Sequence, residues 1–456
     1  MSARRSLRLQ NELFSNYCLC LGLLFAALTL APRARGQNSE PPQVVSSPQE
    51  HAASQSVTPL EGLLTEAEQN NPQIQAAHQG WQAAKQVPTQ VSTLPDPQLE
   101  IQQFSVGSPR PFAGYTNSNF AYIGFGVSQD LPYPGRLRLR GEIATQDAAV
   151  AQQQYESVRR AVLAGVKSAY FQLASLSKTL GILESDGQLL QQVEKAADAR
   201  YRSGMGNQQD VLQAQLEQTK LLREITMHHL EMAKAQAQLK ELLNRPQSSP
   251  DIEPSELSET PLAQTFDELL AATQSQNPEI SGAQKMVEKQ KLQVDLAHKD
   301  FRPDFSLQYM WQRTDPEQYR AYYMLTFGVS LPVHRAKLNA QLAEAEADLG
   351  RSRSDLDVES RQIAAEVRVE YDTAQKSAEL LNLYRDGLLP QARAEFQAGI
   401  AAYQNNRQDF QGVLASFLDV LHLDEEYWHD LSDRETALAR LEELTGLSLR
   451  EEGTQQ

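Results

Sequence analysis

Cysteine is almost missing from this 456-residue chain: there are two, Cys18 and Cys20. Both lie in the apolar stretch Cys18–Leu30, which follows Arg4, Arg5 and Arg8 and precedes Ala34-Arg35-Gly36. A basic start, an apolar run of about thirteen residues and a small-x-small site make an export signal, and the run is shorter than the ~20 residues of a spanning helix. The chain expected to remain after residue 36 has no cysteine. That excludes a disulfide framework, a thiolate metal site, a cysteine nucleophile and a lipid-carrying cysteine. Long apolar runs are also missing after the signal, so no transmembrane helix is expected. Alternating strands of a membrane barrel would escape that test. Positive charge is scarce as well. The formal net charge is −16, and −20 once the five Arg and one Glu of residues 1–36 are gone. Nucleic acid, which is held through its phosphates, is a poor partner for such a surface. There is no Gly-rich phosphate loop and no histidine-glutamate zinc motif, so neither an enzyme nor a cofactor is expected.

What the chain does have is an internal duplication. Residues 37–58 are rich in Pro, Ser and Gln and read as a disordered linker. Asn71-Pro72-Gln73-Ile74 then recurs as Asn277-Pro278-Glu279-Ile280, with proline in the favoured first-turn position of a helix. Each copy leads to an extended segment opened by proline, at Asp96-Pro97 and Arg302-Pro303, and the offset is 206 in both places. A second strand follows in each half, Phe125-Gly126-Val127-Ser128 and Phe327-Gly328-Val329-Ser330. Each runs through Leu-Pro into a very long helical pattern, 136–203 and 335–404, read as free of breakers. At 1.5 Å per residue these helices are on the order of 100 Å long and call for coiled-coil-like packing. Returning helices are expected over 209–243 and 409–444. The domain reading is one repeat over 59–245, a linker over 246–262, a second repeat over 263–447 and a tail over 448–456.

The strands carry the most information. Side chains alternate across a strand. Ile123, Phe125 and Val127 therefore share one face, as do Phe305, Leu307, Tyr309 and Trp311, and Tyr323, Leu325, Phe327 and Val329. The opposite faces hold small or polar residues such as Gly124, Gly126, Ser128, Ser306, Gln308, Thr326 and Gly328. At about ten residues each, the strands are long enough to cross a bilayer when tilted, and Tyr309, Trp311, Tyr322 and Tyr323 suit its interfaces. Two soluble hairpins packed on helices would alternate too. Against that, the flanking helices are too long for a compact domain. Four strands cannot close a membrane barrel, and open edges cannot face lipid. The reading is that identical chains pool their strands, three chains giving twelve.

The duplicated order of helix, strand, strand, long helix and return helix resembles the TolC-type outer-membrane efflux proteins over about residues 59–447. The motifs that carry the resemblance are Ser128-Gln129-Asp130-Leu131-Pro132-Tyr133-Pro134-Gly135-Arg136 at the strand-to-helix join and Tyr201-Arg202-Ser203-Gly204 with Asp210-Val211-Leu212-Gln213-Ala214-Gln215 at the turn. Val329-Ser330-Leu331-Pro332 is the second-half counterpart, and the join and turn look closest to the heavy-metal-efflux branch. The fold class this implies is a mixed α/β membrane protein. A homotrimeric twelve-stranded β-barrel would continue into a periplasmic α-helical tunnel. It would sit in outer-membrane lipid and act with a periplasmic adaptor (membrane fusion) protein and an inner-membrane pump, on metal ions or small toxic compounds. The resemblance puts the entrance gate at Asp210, Asp409 and Arg407. It puts the adaptor-docking tip at Tyr201, Arg202, Gly204, Tyr403 and Asn406, the last being the expected left-handed cap of the second turn.

Plainer readings stand beside these. Asp210 and Asp409 suit any helix N-terminus, and Tyr201 could simply pack the tip. His422 and His429 share a helix face with Glu425 and Glu426 between them, so a metal site is conceivable, but a solvated helix face is the preferred reading and no metal site is expected. A periplasmic adaptor would carry one hairpin rather than two, and a secreted coiled coil would not need aromatic strand pairs.

Overall fold

The structure is a computed structural model and describes residues 58–104, 122–314, 321–405 and 407–449. All of them belong to the compact unit Gln55–Gln456. The expected signal segment and linker up to residue 57, residues 107–119, Asn406 and the residues beyond 449 lie outside the described residues.

The first repeat contains α1 (Leu60–Asn70), α2 (Pro72–Ala84), α3 (Val87–Ser92), β1 (Gln98–Phe104), β2 (Tyr122–Leu131), α4 (Arg136–Arg202) and α5 (Gln208–Leu242). The second contains α6 (Phe266–Gln276), α7 (Pro278–Lys299), β3 (Asp304–Thr314), β4 (Ala321–Ser330), α8 (Arg335–Leu383), α9 (Leu389–Gln404) and α10 (Phe410–Thr445). Among the described residues no helix is long and apolar enough to cross a membrane.

The repeated Asn-Pro motifs do more than start helices. Asn71 Oδ1 accepts from the Gln73 and Ile74 amides at 2.8 and 3.3 Å, while Asn71 Nδ2 donates to the Leu242 carbonyl at 2.8 Å. Asn277 repeats this with the Glu279 and Ile280 amides at 2.9 and 3.2 Å and the Leu444 carbonyl at 3.0 Å. One buried amide thus satisfies the orphan donors at the start of one helix and an orphan acceptor at the end of another. Each repeat closes on itself this way, with α2 locked to the end of α5 and α7 to the end of α10.

Two breaks depart from the sequence reading, and proline causes both. The first-half helix is interrupted at Lys85-Gln86, just before Pro88, whereas α7 has no proline after Pro278 and runs for 22 residues. The second long helix is not free of breakers. Pro390 has no N–H to give the Asp386 carbonyl, and the turn before it, Tyr384–Leu388, opens into a π turn in which the Leu389 amide donates to the Tyr384 carbonyl.

The four strands form one antiparallel sheet in the order β1-β2-β3-β4. Register rows run straight across it, such as Leu99, Val127, Tyr309 and Leu325, then Ile101, Phe125, Trp311 and Tyr323. The joins beneath are tied by Arg136. It is 7% exposed, pairs with Asp300 at 3.2 Å and with Asp304, and donates to the Lys299 and Arg302 carbonyls. Its position after Gly135, which adopts φ 92°, lets one guanidinium staple the β2–α4 join to the α7–β3 join.

The helices share three apolar clusters. One surrounds Tyr170, Phe171, Leu239 and Leu381, a second lies toward the turns around Leu190, Phe396 and Phe417, and a third joins α6–α8 to α10 around Ile363 and Leu441. The segment expected as a linker is packed onto the first of these. Gln236 exchanges two hydrogen bonds with Ile252, and fully buried Glu435 accepts from the Thr260 amide and hydroxyl at 2.8 and 2.7 Å.

Candidate functional site

Two regions hold the residues singled out from the sequence, the sheet and the paired turns. On the sheet, the eleven expected lipid-facing residues fall on one face. Phe125, Val127, Leu307, Tyr309, Tyr323, Leu325, Phe327 and Val329 are exposed, and Ile123, Phe305 and Trp311 are half-buried beside them. Leu99 and Ile101 of β1 extend the band, at 73% and 58% exposure. Aromatic pairs run along it, including Phe125–Trp311, Phe305–Phe327 and Tyr309–Tyr323 at 5.8–6.3 Å between ring centres. The opposite face carries Glu100, bonded to Ser128 at 3.0 Å and to Gln308. Gly124 and Gly126 leave room for the Met310 side chain, whose atoms would sit 3.4 and 3.0 Å from a Cβ added at each. Among the described residues, strands β1 and β4 have no sheet partner on their outer edges.

At the first turn Gly204 takes φ 74°, so the Met205 amide reaches the Arg200 carbonyl at 2.9 Å. At the second, the Arg407 amide reaches the Ala402 carbonyl, also at 2.9 Å. The two six-to-one bonds lie 202 residues apart, which supports aligning Tyr403 with Tyr201. Asn406 itself is outside the described residues. On this alignment Asp409 matches Asn207, the residue before α5, and not Asp210. Asp409 is an N-cap, its Oδ1 accepting from the Gly412 amide at 3.0 Å. Asp210 lies in the first turn of α5, half-buried.

The tip candidates separate by exposure. Tyr201, Gly204, Arg202 and Arg407 are exposed, with Arg202 paired to Asp198 at 2.7 Å. Tyr403 is different: at 3% exposure it cannot offer its ring to a partner and instead packs on Phe410, 5.8 Å between ring centres. Its α9 position points it inward between the two hairpins. Arg200, which drew no attention in the sequence, sits with its guanidinium 4.2 Å from the centre of that ring and donates to the Tyr403 carbonyl and, at 3.2 Å, to the Met205 carbonyl. Burial and the nearby Asp210 carboxylate push the Tyr403 phenol up, against the pull of Arg200. Among the described residues its hydroxyl meets no hydrogen-bond partner in good geometry. Arg200, Asp210, Tyr403, Arg407 and Asp409 line one open cleft of about 680 Å³. An arginine in a helix is ordinary in a sequence, and only its pairing with the other repeat gives it meaning.

The histidines do not meet one another. His422 lies 3.7 Å from Glu425 and His429 lies 3.4 Å from Asp433. His429, Asp430 and Asp433 bring ligand atoms within 4.8 Å on a largely solvated face.

With this geometry in place, the family model described as outer membrane efflux protein matches residues 63–245 and 269–446. The chain belongs to that family, whose members are channels of the outer membrane and not enzymes. Its relatives include the putative multidrug resistance outer membrane protein MdtQ of Shigella flexneri and that of Escherichia coli K12, each 26% identical over 381 residues, 75% of this chain and 77% of theirs. The fold is that of solved TolC-type channels. CusC superimposes with a TM-score of 0.74 at 18% identity, covering 92% of this chain and 100% of its own. OprN gives 0.73 at 16% identity, covering 91% and 99%. VceC of Vibrio cholerae gives 0.73 at 18%, covering 86% and 97%.

Proposed function

We propose that three copies of this chain form an efflux duct, a twelve-stranded barrel in the outer membrane continuous with a helical tunnel in the periplasm. The observation that carries this reading is the sheet. Among the described residues it has four strands, two unpartnered edges and one apolar, aromatic-rich face. Lipid tolerates such a face but not open edges, so edge β4 of one copy pairs with edge β1 of the next. Residues 1–36 direct export and are removed. The chain takes substrate from an inner-membrane pump through a periplasmic adaptor, which docks around the exposed Tyr201, Arg202 and Gly204. The multidrug names of the relatives favour small organic toxicants over metal ions as cargo. At the periplasmic end Asp210, Asp409 and Arg407 surround the entrance, where three-fold repetition of carboxylates favours cations.

Membrane fractionation tests the reading: recovery as a heat-modifiable trimer in the outer membrane supports it, and a soluble periplasmic monomer sinks it. For the entrance, Asp210→Ala and Asp409→Ala channels in planar bilayers are expected to lose cation preference. Unchanged conductance and selectivity in both would remove these residues from the gate.

A further inference from the structure

A second cleft lies between α4, α9 and α10, with a volume of about 610 Å³. Two acids and two bases line it, Asp186 and Asp424 against Lys178 and Arg393. Both bases are already engaged. Arg393 Nη2 donates to both oxygens of Asp424 at 2.7 and 3.0 Å. Lys178 pairs with Glu256 at 2.6 Å and lies over the Trp428 ring. Asp186 is left over, since its Oδ2 is shut from solvent and has no hydrogen-bond partner among the described residues. Leu189, Phe396 and Ile400 supply apolar wall, and Gly181 opens a space in which an added Cβ would meet nothing within 4 Å.

A carboxylate with one oxygen shielded and unpartnered is costly to keep charged unless an opposite charge is brought against it. The cleft falls within the roughly 300–1,000 Å³ of small-molecule sites, and such sites combine apolar walls with a few fixed polar groups. A divalent metal fits poorly, because hard cations need about six oxygen ligands and Asp424 is already spent on Arg393. An anion would meet the uncompensated charge of Asp186. The geometry points to a binding site for an organic cation, an ammonium group on an apolar body, whose charge is set against the open side of the Asp186 carboxylate, away from closed Oδ2, while its body lies on Phe396 and Ile400. The site goes beyond the duct reading and does not depend on it, because binding is read on the isolated protein.

The charged groups around Asp186 are Asp424 and Glu425 on α10 and Arg393 on α9, with His228 on α5 beyond them, 3.7 Å from Glu425. Burial, then Asp424, push the Asp186 carboxyl up to about 6, with Arg393 opposing. Below that pH the site turns neutral and the cation is released.

The test is fluorescence anisotropy with rhodamine 6G, an amphipathic cation, on the purified full-length protein in detergent, with fluorescein as the anionic control. Saturable binding at pH 8 is expected, at least tenfold weaker at pH 5, for Asp186→Asn at pH 8 and for fluorescein. Gly181→Phe, which fills the cleft and keeps every charge, is expected to block binding as well and serves should Asp186→Asn fail to fold. Absence of saturable binding at pH 8 overturns the assignment, as does undiminished affinity in either folded variant.

Discussion

The Arg200 guanidinium lies 4.2 Å from the centre of the Tyr403 ring and bonds that residue's carbonyl, so the end of α4 is fastened to the end of α9 across 203 residues of chain. The first turn is thereby held to the second through both a ring and a carbonyl. A charged hydrogen bond and a cation–π contact at such a site are each worth about 1–2 kcal/mol.

Replacing Arg200 with alanine is therefore expected to loosen the turns without unfolding the chain. Single-channel conductance should rise in the variant, and the mid-point of urea unfolding should fall by an amount equal to roughly 2 kcal/mol. Arg200→Lys keeps the charge but loses the planar fork and should fall between the two. A conductance unchanged in Arg200→Ala would mean that the fastening does not restrain the entrance.

Asn71 and Asn277 each serve two helix ends while almost fully buried, at 2% and 3% exposure. Alanine at either removes a cap and leaves a carbonyl unpaired, an expected loss of about 2–3 kcal/mol each in chemical denaturation. The variants Asn71→Asp and Asn277→Asp retain the cap oxygen but bring a carboxylate against the Leu242 or Leu444 carbonyl, and should recover little of the loss. Full recovery by aspartate would show that only the cap matters.

The two faces of the sheet are expected to respond oppositely to charge. Leu325 is 69% exposed on the apolar face, while its neighbour Thr326 points to the other. Arginine at 325 should cost about 2–4 kcal/mol in a bilayer and reduce the yield of outer-membrane oligomer, whereas Thr326→Arg should leave the yield near normal. Equal losses in both would contradict the assignment of faces.

The Asp186 carboxyl, raised to about 6 by burial and Asp424, binds a proton in the folded chain that an unfolded carboxyl near ~3.9 has released. Its contribution to stability is thus fully present below about pH 4 and is lost as pH rises through about 6. Asp186→Asn should raise the melting temperature at pH 8 and change it little at pH 4. A variant equally stabilised at both would place the effect elsewhere than in the charge.

Periodicity and repetition made much of the fold legible in the sequence. Asn71-Pro72 and Asn277-Pro278 marked helix starts because the cap is a local device. The strand faces followed from alternation, which needs no knowledge of neighbours. The π turn was legible in principle, since Pro390 stands in the sequence, but a single missing N–H was lost in a long favourable pattern. Tyr403, expected at the docking tip, is buried at 3% exposure, because a tyrosine beside a turn has no direction until the facing helix is placed.

By itself, then, the sequence determined the duplication, the apolar sheet face and the long helices, all set by interactions within a few residues or by pattern along one element. Tertiary structure alone decided that Asn71 and Asn277 close each repeat, that Arg136 staples the joins, that Arg200 holds Tyr403, and that Oδ2 of Asp186 is left without a hydrogen-bond partner among the described residues. The first three join residues far apart in the chain, and whether a charge or ring is satisfied depends on what the fold brings against it.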